Sequence, residues 1–553
     1  MSERAKTLTK LSILFMSFAI IFGFRNIINN QVQFGLLACV LFLVGGAIYA
    51  IPMVLLTSEF GSIHKLKNQE AGLGSFCAFA LGKKGGFLAS WASYFGNLFF
   101  FATMAPFTVI ALSFFFYGKN GFDELAIVLS AKISDANATR LSTCTLALFA
   151  ILIFWAGTYV SSKGPKWIGK ITNIGGTASL CLGLLFILIA LCYALPVNGV
   201  EETFGWNSFN ALENQFNGDW WSFISMLPWL IFAYNGIETI SVFIKDTKGG
   251  SRAFRIGSTI GMVCVIFLMV IGTLLLSMTI SQSDIEKWGI SNSYFMVYPK
   301  ILGISESSGW HRAIVHIVGF VTALNGMGSL FFWTAAPAKV FLSEVPHNTM
   351  GKYLSKTDKN GIPLNALWIQ AIVVSAILII VGTTTSGEVE VGDDGVKAVT
   401  SSSDFLSRIL QATTSLATVQ MFYYFWAYIW FRWKNDDEPR DTKFFKNKIP
   451  AIILTSLALG LVVIAFFFGT VPSPTLWKKD WVDALITFIL VFGGFIFFMG
   501  IGYLVWYLQV TRKGIQEDGS IDQSAIMSSK NRKTKVLNST NENTNIVESK
   551  KVE

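Results

Sequence analysis

Charge is what this sequence has least of. Asp, Glu, Lys and Arg make up 14% of its 553 residues, where a soluble domain of this size carries about 25%. With 52% hydrophobic residues and 49 Phe, the shortfall points to a chain that lives in lipid. Cysteine is equally uninformative about scaffolding: there are six, and no two form a C-x-x-C pair, so neither a disulfide framework nor a zinc site is supported. The four histidines (His64, His311, His316, His347) are scattered. There is no G-x-x-x-x-G-K-[ST] phosphate loop and no soluble stretch large enough to hold one, so ATP-driven work is not expected. No cofactor or metal is expected either. The net charge of +9 is not a nucleic-acid signal, because the excess sits in loops that face anionic lipid headgroups.

What is present is a series of long apolar stretches. A helix needs about 20 residues to cross the hydrocarbon core, and twelve spans can be marked: 11–34, 35–58, 86–116, 141–160, 171–195, 220–244, 256–280, 313–338, 364–381, 404–431, 449–470 and 481–510. The first lacks a cleavage-site pattern and is read as a retained span, not a signal peptide. Of the 43 Lys and Arg residues, only Arg25 and Arg408 fall within the spans. With the N-terminus placed inside, the rest divide 32 to the cytoplasmic side and 9 to the outer side. Positively charged loops resist translocation, so this asymmetry sets both termini in the cytoplasm of a cell-membrane protein. The segment 511–553, rich in Ser, Asn, Lys and Glu, reads as a disordered cytoplasmic tail.

Two spans are interrupted. Span 1 reads Phe22-Gly23-Phe24-Arg25-Asn26 near its middle, and span 6 reads Phe232-Ala233-Tyr234-Asn235-Gly236-Ile237-Glu238. Each sets a Gly beside an Asn and an ionisable residue. Backbone opened in mid-membrane exposes N–H and C=O groups that a ligand, ion or water must satisfy. Half-helix N-termini stabilise anions and free carbonyls stabilise cations. A Gly in a membrane helix is also a common packing residue. Glu238 costs about 2.5 kcal/mol or more within a span and usually faces a cavity or partner; it is read as a coupling or gating group, with a structural hydrogen bond as the alternative. Asn29, Asn30 and Gln31 suggest that Arg25 is near the outer interface, to which it could snorkel. Arg408 is read as an i,i+4 partner of Asp404.

These residues carry a family resemblance. Phe232 to Glu238 resembles the F-x-Y-x-G-x-E motif in the sixth helix of the amino acid–polyamine–organocation superfamily. Lys245-Asp246-Thr247-Lys248 fits the loop that follows it, and Gly361-Ile362-Pro363-Leu364-Asn365-Ala366 is similar to the signature opening the ninth helix. Glu59 and Glu70-Ala71-Gly72-Leu73-Gly74 resemble the loop before the third helix. The likeness covers residues 8 to 510 and is closest to the glutamate/γ-aminobutyrate antiporter branch, in particular its YjeM-like members.

The resemblance implies an all-α membrane protein of twelve transmembrane helices with the LeuT-type fold. Residues 11–195 and 220–431 would be inverted five-helix repeats, and 449–510 two extra helices, with 1–10 as an N-terminal tail. It implies a substrate site at Phe22, Gly23, Phe24, Arg25 and Asn26, binding an amino-acid carboxylate, and at Phe232, Ala233, Tyr234, Asn235 and Gly236, binding its ammonium. The chain departs from the family where Gly23-Phe24-Arg25 replaces two small residues. Arg25 could hold a substrate carboxylate, take the place of a coupling cation, or pair with Glu238. The expected function is secondary transport of amino acids, by exchange or proton-coupled symport, with an amino acid, the lipid bilayer and protons as the partners; the oligomeric state is open. A sensor on a transporter fold and a membrane-embedded enzyme are the alternatives.

Overall fold

The computed structural model describes residues 8–513 except 67–71, 163–164, 239, 242–243, 245–246, 346–348, 358–362, 386, 388 and 392–396. The motif residues Glu70, Ala71, Lys245, Asp246, Gly361 and Ile362, and all but the first three residues of the expected tail, lie outside that set.

The chain begins with two short helices, α1 (Lys10–Ile21) and α2 (Phe24–Phe34), then α3 (Ala38–Gly45), which runs through a π-helical turn at Gly46–Ala50 into α4 (Ile51–Phe60). Next come α5 (Leu73–Leu81), α6 (Lys83–Tyr117), α7 (Gly121–Ser130) and α8 (Asp135–Ser162). α9 (Pro165–Ile189) continues through a second π-helical turn into α10 (Leu195–Asn198). A loop carrying α11 (Ala211–Asn214) leads to α12 (Trp220–Ser225) and α13 (Leu227–Phe232). Then follow α14 (Gly250–Thr279), α15 (Gln282–Ile301), α16 (Gly309–Glu344), α17 (Gly351–Leu354) and α18 (Leu364–Thr384). A small antiparallel hairpin, β1 (Val389–Val391) and β2 (Lys397–Val399), pairs Glu390 with Ala398. The last helices are α19 (Ser401–Lys434), α20 (Lys448–Thr470), α21 (Pro474–Lys479), α22 (Trp481–Phe488) and α23 (Gly494–Val505). Apart from that hairpin, the regular structure among the described residues is helical, as expected.

Nine helical stretches among the described residues are long and apolar enough to cross a membrane. They match the expected spans 2 to 5, 7 to 9, 11 and 12. Spans 1 and 6 fall short because both are broken. Span 10 is one 34-residue helix, α19, but carries Asp404, Arg408, Thr413, Thr414 and Ser415 along it. Its polar groups are used inside the protein. Arg408 corrects the sequence reading: it pairs with Asp483 of α22 and donates to the Thr384 carbonyl at 3.1 Å. Asp404 instead accepts from the Thr400 hydroxyl at 2.6 Å. The guanidinium therefore ties α18, α19 and α22 together.

Small residues set the close contacts, as is usual where no water drives helices together. Gly257 and Gly261, one turn apart on α14, let α1 approach until a side-chain carbon at either position would lie 2.6 Å from the Lys10 carbonyl or 3.0 Å from that of Leu14. α1 starts on a capping box in which the Thr9 hydroxyl accepts from the Ser12 amide. Thr9 thus satisfies one of the open N–H groups at the helix start.

The Lys- and Arg-rich end of the molecule is closed by a buried ion cluster that sequence reading did not foresee. The Glu59 carboxylate, at the end of α4, takes Arg432 Nη1 at 2.7 Å, Arg440 Nε at 2.8 Å, the Tyr428 hydroxyl at 2.5 Å and the Phe444 amide at 2.6 Å. Asp436 binds the same two arginines, at 3.0 and 2.6 Å. Glu59 and both arginines are sealed from solvent. With three hydrogen-bond donors and a second guanidinium on one carboxylate, and Asp436 beside both arginines, the two negative charges meet two positive ones. Removing one partner of such a pair costs about 3–5 kcal/mol. Arg432→Leu should therefore lower the unfolding midpoint of the detergent-solubilised protein markedly. Lys65→Ala, which deletes an exposed partner of Glu438, should leave it almost unchanged. Equal midpoints for the two variants would contradict the role given to the cluster.

Candidate binding site

The site is built from two helix breaks that lie against each other. α1 ends at Ile21; Phe22 (φ −70°, ψ 121°) and Gly23 (φ −143°, ψ 121°) are extended, and α2 restarts at Phe24. No side chain caps α2, so its first N–H groups open onto the break. The Asn26 amide bonds the Gly23 carbonyl at 2.9 Å, and the Asn26 side chain folds back beside Gly23.

The second break is longer than sequence reading implied. α13 stops at Phe232, and the described residues from Ala233 to Gly249 run in turns, with i,i+3 bonds such as Tyr234 to Ile231 and Asn235 to Phe232, both 3.1 Å. Gly236 has φ +127°, which L side chains rarely adopt, and a side-chain carbon there would lie 2.8 Å from Ile20 Cγ2 at the end of α1. This contact brings the two breaks together.

Hydrogen bonds to α3 and to the π-helical turn after it hold the second break in place. The Tyr234 hydroxyl donates to the Phe42 carbonyl at 2.6 Å. Tyr49, in the π-helical turn, donates its hydroxyl to Asn235 Oδ1 at 2.6 Å. Sequence reading missed Tyr49; the available signal was that it is the one phenol in span 2. The wide π turn, frequent at functional sites, carries it. Glu238 is buried, and its carboxylate accepts the Gly236 N–H at 2.9 Å. It thus satisfies the backbone that the turn leaves open and sits within electrostatic reach of Tyr49 and Tyr424.

Arg25 lies elsewhere. Its guanidinium stacks on Phe107 of α6, 3.5 Å from the ring centre, a cation–π contact. Its Nε is buried and has no hydrogen-bond partner among the described residues. Among those residues there is no ion pair between Arg25 and Glu238. Asn29, Asn30 and Gln31, further along α2, are buried in the protein. Phe24 packs tilted against Phe186 of α9 at 4.5 Å and meets Tyr294 and Tyr298 of α15 at 5.7 and 6.0 Å. Phe107 meets Tyr294 at 6.1 Å. These rings form an aromatic layer over the breaks, on the side away from the basic end. Of the other expected residues, Phe22 stacks on Phe18 at 4.9 Å, Ala233 is buried, and Phe232 meets Phe100 of α6 at 5.7 Å.

Backbone strain of about 1–3 kcal/mol adds to the Ile20 clash for any side chain at Gly236. Gly236→Val should abolish uptake while the protein still inserts and runs as a monodisperse peak in size exclusion. Normal uptake by that variant would detach the second break from function.

Comparison with known proteins bears on all of this. A family model described as "Amino acid permease" matches residues 8–515. The chain is 22% identical over 510 residues to the inner membrane transporter YjeM of Escherichia coli (strain K12), covering 90% of this chain and 95% of that one. It is 22% identical over 500 residues to the aspartate/glutamate permease AcaP of Lactococcus lactis subsp. cremoris (strain MG1363), covering 88% and 93%. It is also 22% identical over 442 residues to the glutamate/gamma-aminobutyrate antiporter of Lactococcus lactis subsp. lactis (strain IL1403), covering 79% and 78%. With broken helices, membrane-length apolar stretches and a match along nearly its whole length, the chain belongs to the amino acid permease family, whose members are membrane transporters.

Proposed function

We propose that the chain is a secondary transporter whose preferred substrates are acidic amino acids, moved by alternating access as an exchanger or a proton-coupled symporter. The observation that carries the reading is Arg25, a half-buried guanidinium whose buried Nε has no partner among the described residues, beside an uncapped helix start. The N–H groups at the start of α2 suit the substrate's α-carboxylate. The carbonyls of Phe232, Ala233 and Tyr234 suit its ammonium, and Phe22, Gly23, Asn26, Asn235 and Gly236 complete the walls. Arg25 then takes a second carboxylate in a charge-assisted pair, releasing its stack on Phe107. The names of two relatives, an aspartate/glutamate permease and a glutamate/gamma-aminobutyrate antiporter, support that substrate class.

The architecture proposed with it has twelve spans, inverted repeats over 11–195 and 220–431, two further helices over 449–510, and both termini in the cytoplasm. The basic end, sealed by Glu59 and its arginines, then faces inward, and the aromatic layer of Phe24, Phe107, Tyr294 and Tyr298 closes the outer side. Glu238 is the coupling group: protonation weakens its hold on the Gly236 N–H and loosens the second break.

The reading is tested by uptake of labelled glutamate into proteoliposomes with and without internal amino acid. Accumulation is expected, and binding without accumulation would make the chain a sensor. Arg25→Ala should weaken competition by glutamate and aspartate about 10–100-fold, the worth of a hydrogen bond to a charged group, and leave leucine within about twofold. Equal losses against all three would remove Arg25 from substrate reading. Glu238→Gln should flatten the pH dependence of uptake; an unchanged profile would leave it a backbone partner only.

A further inference from the structure

A half-open cavity lies away from the two breaks, at the end of the molecule opposite the basic one. It has a volume of about 260 Å³ and is lined by the end of α2, the loop between α10 and α12, the end of α14 and the start of α15. This is below the roughly 300–1,000 Å³ typical of drug-sized pockets, which suits a molecule of a few heavy atoms. Its floor includes Leu36, Phe204 and Ile280. The rest of its wall is polar.

The side-chain amides of Gln31, Gln282, Gln215 and Asn214 each donate within the protein. Gln31 Nε2 is bonded to Ser277 Oγ at 2.7 Å and Gln282 Oε1 at 3.1 Å. Gln282 Nε2 reaches Glu286 Oε1 at 2.9 Å and the Gln31 carbonyl at 3.2 Å. Gln215 Nε2 reaches Glu286 Oε1 at 3.2 Å, and Asn214 Nδ2 the Asn207 carbonyl at 2.9 Å. Two buried acceptors in the wall are left open. Gln31 is 1% exposed, and its Oε1 has no hydrogen-bond partner among the described residues; the same holds for Gln215 Oε1. A buried carbonyl oxygen without a donor costs about 1–3 kcal/mol, so the pocket favours an occupant that supplies N–H groups.

Charge points the same way. Glu286 is the one ionised group among the lining residues. The loop over residues 196–219 carries Glu201, Glu202, Glu213 and Asp219 and no Lys or Arg. The nearest base in the chain, Lys287, is exposed. Two open carbonyl oxygens and one carboxylate, beside the apolar Leu36, Phe204 and Ile280, fit an ammonium group on a short alkyl chain. A free amino acid fits less well, because its carboxylate would meet Glu286.

We propose that this cavity is a second binding site, for short alkylammonium ions without a carboxylate, with Glu286, Gln31 and Gln215 as the acceptors. It is separate from the amino-acid site proposed at the breaks, and its occupant bridges α2 to α15.

The test is calorimetric titration of the full-length protein in lipid nanodiscs with 1,4-diaminobutane, and with 1-butanol, calcium chloride and glutamate as comparisons. Saturable binding of the diamine is expected, without binding of butanol and without competition by glutamate. E286Q, at an exposed position, should weaken it about 10–100-fold, as loss of a hydrogen bond to a charged group implies. Gly236→Val, which closes the other site, should leave it unchanged. Three results would overturn the proposal: undiminished diamine binding to E286Q; binding lost in Gly236→Val, which would place the amine at the breaks; or displacement of the diamine by calcium, which would make this a metal site.

Discussion

A peptide group opened inside a membrane must find a partner within the protein, and the organisation of this chain around its two breaks follows from that constraint. Phe22 and Gly23 leave the start of α2 uncapped, and the turns after Phe232 leave a stretch of backbone outside any helix. The protein meets the demand locally. Glu238 takes the Gly236 N–H, and Tyr49 and Tyr234 pin the turn to α3 and the π turn that follows it. These partners hold the second break in one geometry, while the helix start at Phe24 stays without a side-chain cap.

The two ends of the molecule are held by different physics. At the basic end a desolvated carboxylate with three donors and a second guanidinium fastens α4 to α19 and the loop beyond it. Such a cluster is directional and strong once formed, and it loses much when any partner is removed. At the other end, over the breaks, the closure is aromatic. Ring contacts of Phe24, Phe107, Tyr294 and Tyr298 are worth about 0.5–1.5 kcal/mol each beyond burial and tolerate sliding. A transporter that opens and closes needs one firm side and one yielding side, and these materials suit that division in the conformation described here.

The helices and the existence of both breaks were legible in the sequence, because each rests on local composition: apolar length for a span, and Gly beside Asn and charge for an interruption. The partners were not. Glu59 meets Arg432 across 373 residues, and Tyr49 meets Asn235 across 186. No local pattern encodes such pairs. Arg408 shows how a local rule misleads, since Asp404 stands one turn away but the ion pair forms with Asp483 on another helix. The burial of Asn29, Asn30 and Gln31 rests on partners far along the chain, as Gln31 bonds Ser277 of α14 and Gln282 of α15. The extent of the second break was hidden too: residues 233–244 are apolar enough for a helix, yet Ala233 to Glu238 run in turns.

The central claim is that substrate binds between the two breaks, with Arg25 reading a second carboxylate. The most direct measurement is an experimental structure of the protein in lipid nanodiscs with saturating glutamate. The account predicts the α-carboxylate against the amides of Phe24 and Arg25, the ammonium against the carbonyls of Phe232 to Tyr234, and the Arg25 guanidinium turned from Phe107 onto the side-chain carboxylate. Glutamate bound elsewhere, or an α1–α2 segment joined into one unbroken helix, would contradict it.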